Sequence, residues 1–266
     1  MESAGFNGYF RQVWTCRYFW WSLVQGDLRA RYRRSLLGFG WSLLQPMALA
    51  LVLSTVFASV FDQDPLDYGL FLIAGLFFWN YLAAVVNQGC LSLLQGESYI
   101  RQHPAPMAIY PLRTVLGATI HFAVALSFLI IVCCIANGPE VLLALPSLIP
   151  TFLLLLVFGW ALAALLGLAN IYFHDTQHLA EVALQILFYA TPIIYPRDLF
   201  EKRNVAIWVV EANPLGSFVR LLREPLLDGR IPGWEPYLIA TTLTLITVGL
   251  AMFAFSRLER RLIFHF

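Results

Sequence analysis

RARYRRSLLGFGWSLLQPMALALVLSTVFASVF, residues 29–61, is the stretch on which the fold class turns. Arg29, Arg31, Arg33 and Arg34 stand directly against an uncharged run that reaches Phe61. A run of that length spans a bilayer as a helix. A basic cluster at one end of a span holds that end in the cytoplasm. The chain therefore reads as an integral membrane protein, oriented from its first span.

Composition agrees. The 266 residues are 59% hydrophobic and 12% charged, against roughly 25% charged in an ordinary soluble domain. That length holds about six spans with their connections and leaves no room for a large soluble domain. Cys16, Cys90, Cys133 and Cys134 lie in or beside apolar segments, with neither a disulfide framework nor metal-ligand spacing. They read as small buried side chains. No cleavable signal peptide is expected, because residues 1–35 are rich in Arg and Trp and lack an uninterrupted apolar core.

Residues 10–30 are too charged to span. Arg11, Thr15, Ser22, Gln25 and Arg29 fall on one helical face, and Phe10, Trp14, Trp21, Val24 and Leu28 fall roughly on the other. That pattern predicts an amphipathic helix lying in the membrane interface. Apolar segments follow at about 36–61, 68–93, 107–136, 147–171, 178–196 and 234–256. The expected fold class is an all-α membrane protein with six transmembrane helices, the N-terminal interfacial helix, and short external helices between spans five and six.

The connections alternate in character. Asp62, Asp64 and Asp67 fill the first, which has no Lys or Arg. The second holds Arg101 and His103, with Arg113 soon after; the third holds Glu140 alone; residues 172–177 have neither Lys nor Arg; the tail has Arg257, Arg260 and Arg261. This bias places both termini in the cytoplasm. The 197–233 connection is too charged to span, yet VAIWVV (205–210) and PLGSFVRLLREPLL (214–227) are too apolar for a free loop. Asn213-Pro214 reads as a helix start and Gly229 as a stop. The short helices there either dip into the outer leaflet, covered by protein or a water-filled cavity, or lie flat as an external cap.

Several chemistries are excluded. A phosphate-binding GxxxxGK[ST] loop needs a lysine, and the only one, Lys202, follows glutamate. This chain alone therefore hydrolyses no ATP. Among the apolar segments the ionisable groups are few: His121 in the third, and Glu181 near the start of the fifth with Asp175 just before it. Ion-coupled transporters place carboxylates at mid-membrane, so an ion gradient is poorly supported as the energy source. His174, Asp175 and His178 make a weak metal pattern without a further ligand, and a solvated helix start or a partner contact is the preferred reading. No nucleophile stands with a base and an orienting group, so no catalytic residue and no metal are expected, and no nucleic-acid partner.

At RYRRSLLGFGWSLLQP (31–46) the chain resembles the permease subunit of ABC-2 type polysaccharide and polyol-phosphate exporters, which move lipid-linked O antigens, teichoic acids and capsule chains. ESYIRQHPAPMAIYPLR (97–113) is similar to that family's cytoplasmic segment between spans two and three. YFHDTQHLAE (172–181) takes the place of its short loop before span five, with His174-Asp175 where Arg-Asp is common. TPIIYP (191–196) and NPLGSFVRLLREPLLDG (213–229) resemble the end of span five and the external helices.

The resemblance implies an N-terminal cytoplasmic segment, 1–34, and a six-helix transmembrane domain, 35–266, in the bacterial inner (plasma) membrane. It implies a homodimer bound to two separate ABC ATPase subunits, which hold the ATP and Mg, so that no cofactor belongs to this chain. A polyprenyl-pyrophosphate-linked glycan would pass between the two copies. The alternatives are an ABC-2 permease for a drug or other small amphiphile and, in a different class, a membrane scaffold or lipid-modifying enzyme.

Three sets of site residues follow. Ser98, Tyr99, Ile100, Arg101, Gln102 and His103 would form a short helix seated in a groove of the ATPase and ended by Pro104 and Pro106; a plain polar turn is the alternative. Arg29, Arg31, Arg33 and Arg34 would bind the carrier pyrophosphate through guanidinium forks, or would serve only topology and anionic membrane lipids, at about 1 kcal/mol per residue. Phe39, Trp41, Phe57, Phe188, Tyr189 and Tyr195 on spans one and five would line the channel, since aromatic faces slide along sugar rings; core packing is the alternative for each.

Overall fold

The computed structural model describes residues 6–33, 35, 37–102, 105–139, 141–196 and 213–262. Arg34, His103 and the first expected external helix at 205–210 lie outside the described residues. Eleven α-helices are described: α1 (Phe6–Thr15), α2 (Arg17–Tyr32), α3 (Trp41–Phe57), α4 (Pro65–Gln95), α5 (Glu97–Gln102), α6 (Ile109–Asn137), α7 (Val141–Ala144), α8 (Leu148–Tyr172), α9 (Thr176–Ala190), α10 (Leu215–Leu227) and α11 (Trp234–Leu262). No strand occurs among the described residues.

The expected interfacial helix is two helices, α1 and α2, which meet at Cys16. Leu23 and Val24 turn inward, while Trp14, Tyr18 and Trp21 stay exposed. A short 3₁₀ turn over Gly38–Gly40 joins α2 to the first span. Gly38 takes φ 49° there, a left-handed conformation that side chains resist, and its N–H donates to Ser35 Oγ at 3.1 Å.

Five stretches are long and apolar enough to cross a membrane: Gly38–Phe57, Pro65–Gln102, Ile109–Asn137, Val141–Tyr172 and Trp234–Leu258. They coincide with segments one, two, three, four and six. The fifth segment differs. Its helix, α9, has 15 residues, or about 22 Å at 1.5 Å per residue, against a hydrocarbon thickness of roughly 30 Å. Pro192 and Pro196 explain the early stop, since proline lacks an N–H and pushes the preceding residue out of the helical region. Thr191 is already extended.

Helix α4 is the central strut, packed on α8, α6 and α3. Its start is well fixed: Asp64 Oδ1 accepts from the backbone N–H groups of Leu66 (2.8 Å) and Asp67 (3.4 Å), and Pro65 occupies the first turn, where its missing N–H costs nothing. Of its most apolar window 67% is buried, against 17% for α3. So α3 is peripheral and offers Leu51, Val52 and Val56 outward.

Helix α10 resolves the two readings of 214–227. Leu215–Val219, Leu221–Arg223, Pro225 and Leu226 are buried, which covers nearly the whole circumference. Phe218 stacks between Phe78 of α4 and Phe158 of α8, with ring centroids at 6.2 and 5.3 Å. Those partners lie well inside their helices, so α10 enters the bundle instead of lying flat on it. Asn213 Oδ1 accepts from Leu215 N–H at 3.0 Å and its amide donates to Thr191 Oγ1 at 2.8 Å. The expected helix start at Asn213 therefore also ties α10 to the end of α9.

Candidate functional site

A cavity of about 410 Å³ opens where the end of α2 meets α3, α4 and α6. Helix α2 reaches it because two contacts dock it on α6. Arg113, mostly buried, makes a two-pronged ion pair with Asp27. Five residues further on, Tyr32 Oη lies 2.9 Å from His121 Nδ1. Ser42 Oγ of α3 lies 3.1 Å from the same nitrogen. The rings of Tyr32, Phe39 and His121 close up against one another, with centroids 4.5 to 5.5 Å apart. One imidazole thus joins the interfacial helix, the first span and the third.

The remaining walls mix aromatic and amide groups. Trp41, Phe77, Tyr81 and Phe122 contribute rings, and Gln45 and Asn80 contribute carboxamides. Tyr81 Oη donates to the Leu155 carbonyl at 2.8 Å and so is committed to the core. Among the described residues Arg31 is the one fully charged side chain of the lining, and it is itself exposed.

The expected site residues separate. Of the basic cluster, Arg31 lines the cavity; Arg29 and Arg33 are exposed on other faces of the same end. Phe39 and Trp41 gather at the cavity end of α3. Phe57 and Phe188 lie at the opposite end, packed with the buried cluster of Tyr68, Leu72, Leu76 and Ile193. Tyr189 is exposed, and Tyr195 Oη donates to its carbonyl at 2.7 Å. Within one chain these six aromatics form two groups and no continuous wall.

Helix α5 projects Ser98, Tyr99, Arg101 and Gln102 outward, whereas Ile100 turns in toward the buried cluster of Leu93, Met107, Tyr110 and Leu168. Arg101 pairs with Glu97 at 2.7 Å. Tyr99 meets Phe19 of α2 edge-on at 6.0 Å. Contacts along α2 therefore run from α5, through the Asp27–Arg113 pair, to the His121 cavity. His178 Nδ1 lies 3.6 Å from Glu181.

Sequence reading passed over Tyr32, Ser42, Gln45, Asn80 and the Asp27–Arg113 pair, and gave His121 no role. The available signal was polarity: each of Gln45, Asn80 and His121 interrupts an apolar run, and such residues carry functional weight in membranes.

Residues 18–227 match the ABC-2 type transporter family. The chain belongs to that family. Like the O-antigen export system permease protein RfbA of Klebsiella pneumoniae, this family member runs nearly end to end with its relatives: the two are 27% identical over 233 residues, covering 87% of this chain and 89% of RfbA. RfbA of Myxococcus xanthus is also 27% identical, over 88% and 90% of the two chains. The polysialic acid transport protein KpsM of Escherichia coli is 24% identical over 87% and 91%. The ABC-2 match covers α2 through α10 and so includes the cavity.

The ion pair can be probed directly. Asp27→Asn leaves the mostly buried Arg113 without its counter-charge, which is costly for a desolvated cation. Faster hydrogen exchange across residues 20–32 is expected in that variant, with exchange in α8 unchanged. The swap Asp27→Arg with Arg113→Asp should restore much of the protection. Equal exchange in wild type and Asp27→Asn would show that the pair does not hold α2.

Proposed function

We propose that this family member is the channel-forming permease subunit of an ATP-driven exporter that moves a lipid-linked polysaccharide out of the cytoplasm. The observation that carries the reading is near end-to-end similarity to permeases named for O-antigen and polysialic acid export. Two copies of the chain pair with one another and recruit two ABC ATPase subunits in the bacterial inner membrane, with both termini cytoplasmic. Residues 1–34 supply the interfacial helices and 35–266 the transmembrane part. Unpartnered apolar side chains on α3 and α9, among them Leu51, Val56, Val182 and Ile186, suit a second copy across a shared path.

In this arrangement α5 is the ATPase contact, with Ser98, Tyr99, Arg101 and Gln102 presented to it, and His103 continuing the segment. Arg29, Arg31, Arg33 and Arg34 gather the pyrophosphate of a polyprenyl carrier at the inner leaflet. Phe39, Trp41, Phe57, Phe188, Tyr189 and Tyr195 line the path once a second copy completes it.

Affinity purification of the chain from its own cells under gentle detergent is the first test. A co-purifying P-loop ATPase is expected, and removal of the chain should leave carrier-linked glycan inside the cell. Recovery of the chain with no ATPase, or unchanged surface glycan in its absence, would defeat the reading. A second result is expected from Tyr99→Ala combined with Arg101→Ala. Both side chains are exposed and outside the apolar spans, so insertion should persist while export falls at least tenfold and ATP hydrolysis continues. Export at the wild-type rate would remove α5 from the coupling path.

A further inference from the structure

We propose that the His121 cavity is a binding pocket for a neutral sugar ring: the carrier-proximal sugar of the exported glycan, held by the amides of Gln45 and Asn80 within a single copy of the chain. The inference rests on the polysaccharide-export reading and assigns a part of the substrate to a place.

The cavity, at about 410 Å³, falls in the range of small-molecule sites, roughly 300–1,000 Å³. Its chemistry is selective. Gln45 and Asn80 both lie inside apolar spans and are exposed toward it. Among the described residues neither carboxamide has a hydrogen-bond partner. Each amide offers two donors and an acceptor oxygen with two lone pairs. Both amides are exposed, so water meets them in the cavity, and a ligand that takes its place must supply matching donors and acceptors.

The kind of occupant follows from what surrounds them. A lipid tail would leave both amides unmatched. A phosphate inside the cavity would want several cations, and among the described residues Arg31 is the one fully charged side chain of the lining. A sugar matches all of it. Its hydroxyls both donate and accept, as do carboxamides, and its C–H face can rest on the exposed Trp41 ring. Tyr32 and Ser42, already gathered on His121 Nδ1, complete a neutral hydroxyl-rich wall. Arg31 on the same lining then meets the phosphate attached to that sugar. The cavity reads the joint between carrier and glycan, with charge for the phosphate and neutral amides for the ring.

The test uses the purified full-length chain in lipid nanodiscs and three probes: geranylgeranyl diphosphate alone, and the same diphosphate carrying one N-acetylglucosamine or one galactose. Wild type is expected to bind at least one sugar-bearing probe tenfold or more tighter than the bare diphosphate. Gln45→Leu with Asn80→Leu should erase that difference and leave bare-diphosphate affinity within threefold. Arg31→Gln should weaken all three probes. Equal wild-type binding of the bare and sugar-bearing probes overturns the sugar pocket and leaves the export reading standing. Equal loss of all probes in the double variant also overturns it, because the amides would then serve the phosphate or the fold. Failure of wild type to bind any probe overturns the lipid-linked substrate as well. The wild-type comparison stands even if the double variant is unstable.

Discussion

Replacing Arg223 with Met is expected to destabilise the bundle by about 3–5 kcal/mol, near the upper end of single substitutions, and to abolish export. Arg223 sits in α10 with 9% of its surface exposed. Its guanidinium donates to three carbonyls: Phe71 of α4 at 2.9 Å, and Pro192 and Ile193 beyond the end of α9, the latter at 2.8 Å. It also lies over the Phe71 ring, 3.4 Å from the centroid. Carbonyls and a ring face, and no carboxylate among its described partners, hold this cation. Where α9 stops, its chain must still satisfy backbone groups at membrane depth, and one side chain does so for two of them. Methionine keeps much of the volume and none of the donors; the Phe71 carbonyl keeps its helical bond within α4, while the Pro192 and Ile193 carbonyls are left short of a partner at about 1–3 kcal/mol each. Lysine reaches fewer of them and should fall between. Thermal unfolding of the detergent-solubilised protein measures this; a Met variant within about 1 kcal/mol of wild type would mean the carbonyls find water instead.

That residue also marks where sequence reading stops. In the sequence Arg223 is one charge among several in a connection too charged to span, and nothing local distinguishes it from Arg220, which pairs with Glu224 at 3.1 Å on a partly exposed face. Its role depends on the break in α9, and the apolar run through 178–196 conceals that break because Ile193 and Ile194 keep the segment hydrophobic past Pro192. Long uniform runs were legible: α4, α6, α8 and α11 begin and end within a few residues of the segments read from hydrophobicity. The cavity was not. Gln45, Asn80 and His121 are far apart in the chain, and whether their helices turn them toward one another depends on packing that a hydrophobic average cannot carry. The arginine cluster was visible as a cluster, but Arg29 and Arg31, two residues apart on α2, point about 200° apart, and Arg33 lies past the end of that helix, so of the described arginines Arg31 reaches the cavity while Arg29 and Arg33 do not.

The crossing of α4 and α8 should tolerate little change, because backbone meets backbone there. A Cβ on Gly89 would lie 2.8 Å from both Cα and Cβ of Ala163, and one on Gly167 would lie 2.8 Å from Ser92 Oγ and 3.0 Å from the Gly89 carbonyl oxygen. The two backbones therefore touch through Gly89, Ala163 and Gly167. Within lipid there is little hydrophobic gain in bringing helices together, so close backbone packing through small residues is what holds them. A further tie lies one turn away, where Asn170 Nδ2 donates to the Cys90 carbonyl at 2.9 Å. Gly89→Ala is expected to cost about 1–3 kcal/mol, the ordinary range for overpacking. Gly89→Leu must push α8 off the central strut, and with it α11, which packs on α8; loss of monodisperse protein after detergent extraction is expected. Gly249→Leu is the matched control, because nothing lies within 4 Å of a Cβ there and leucine is the better helix former by under about 1 kcal/mol. Equal yield and melting temperature for Gly89→Leu and Gly249→Leu would mean that the crossing can widen freely, and that α4 and α8 are held by their ends and not by this contact.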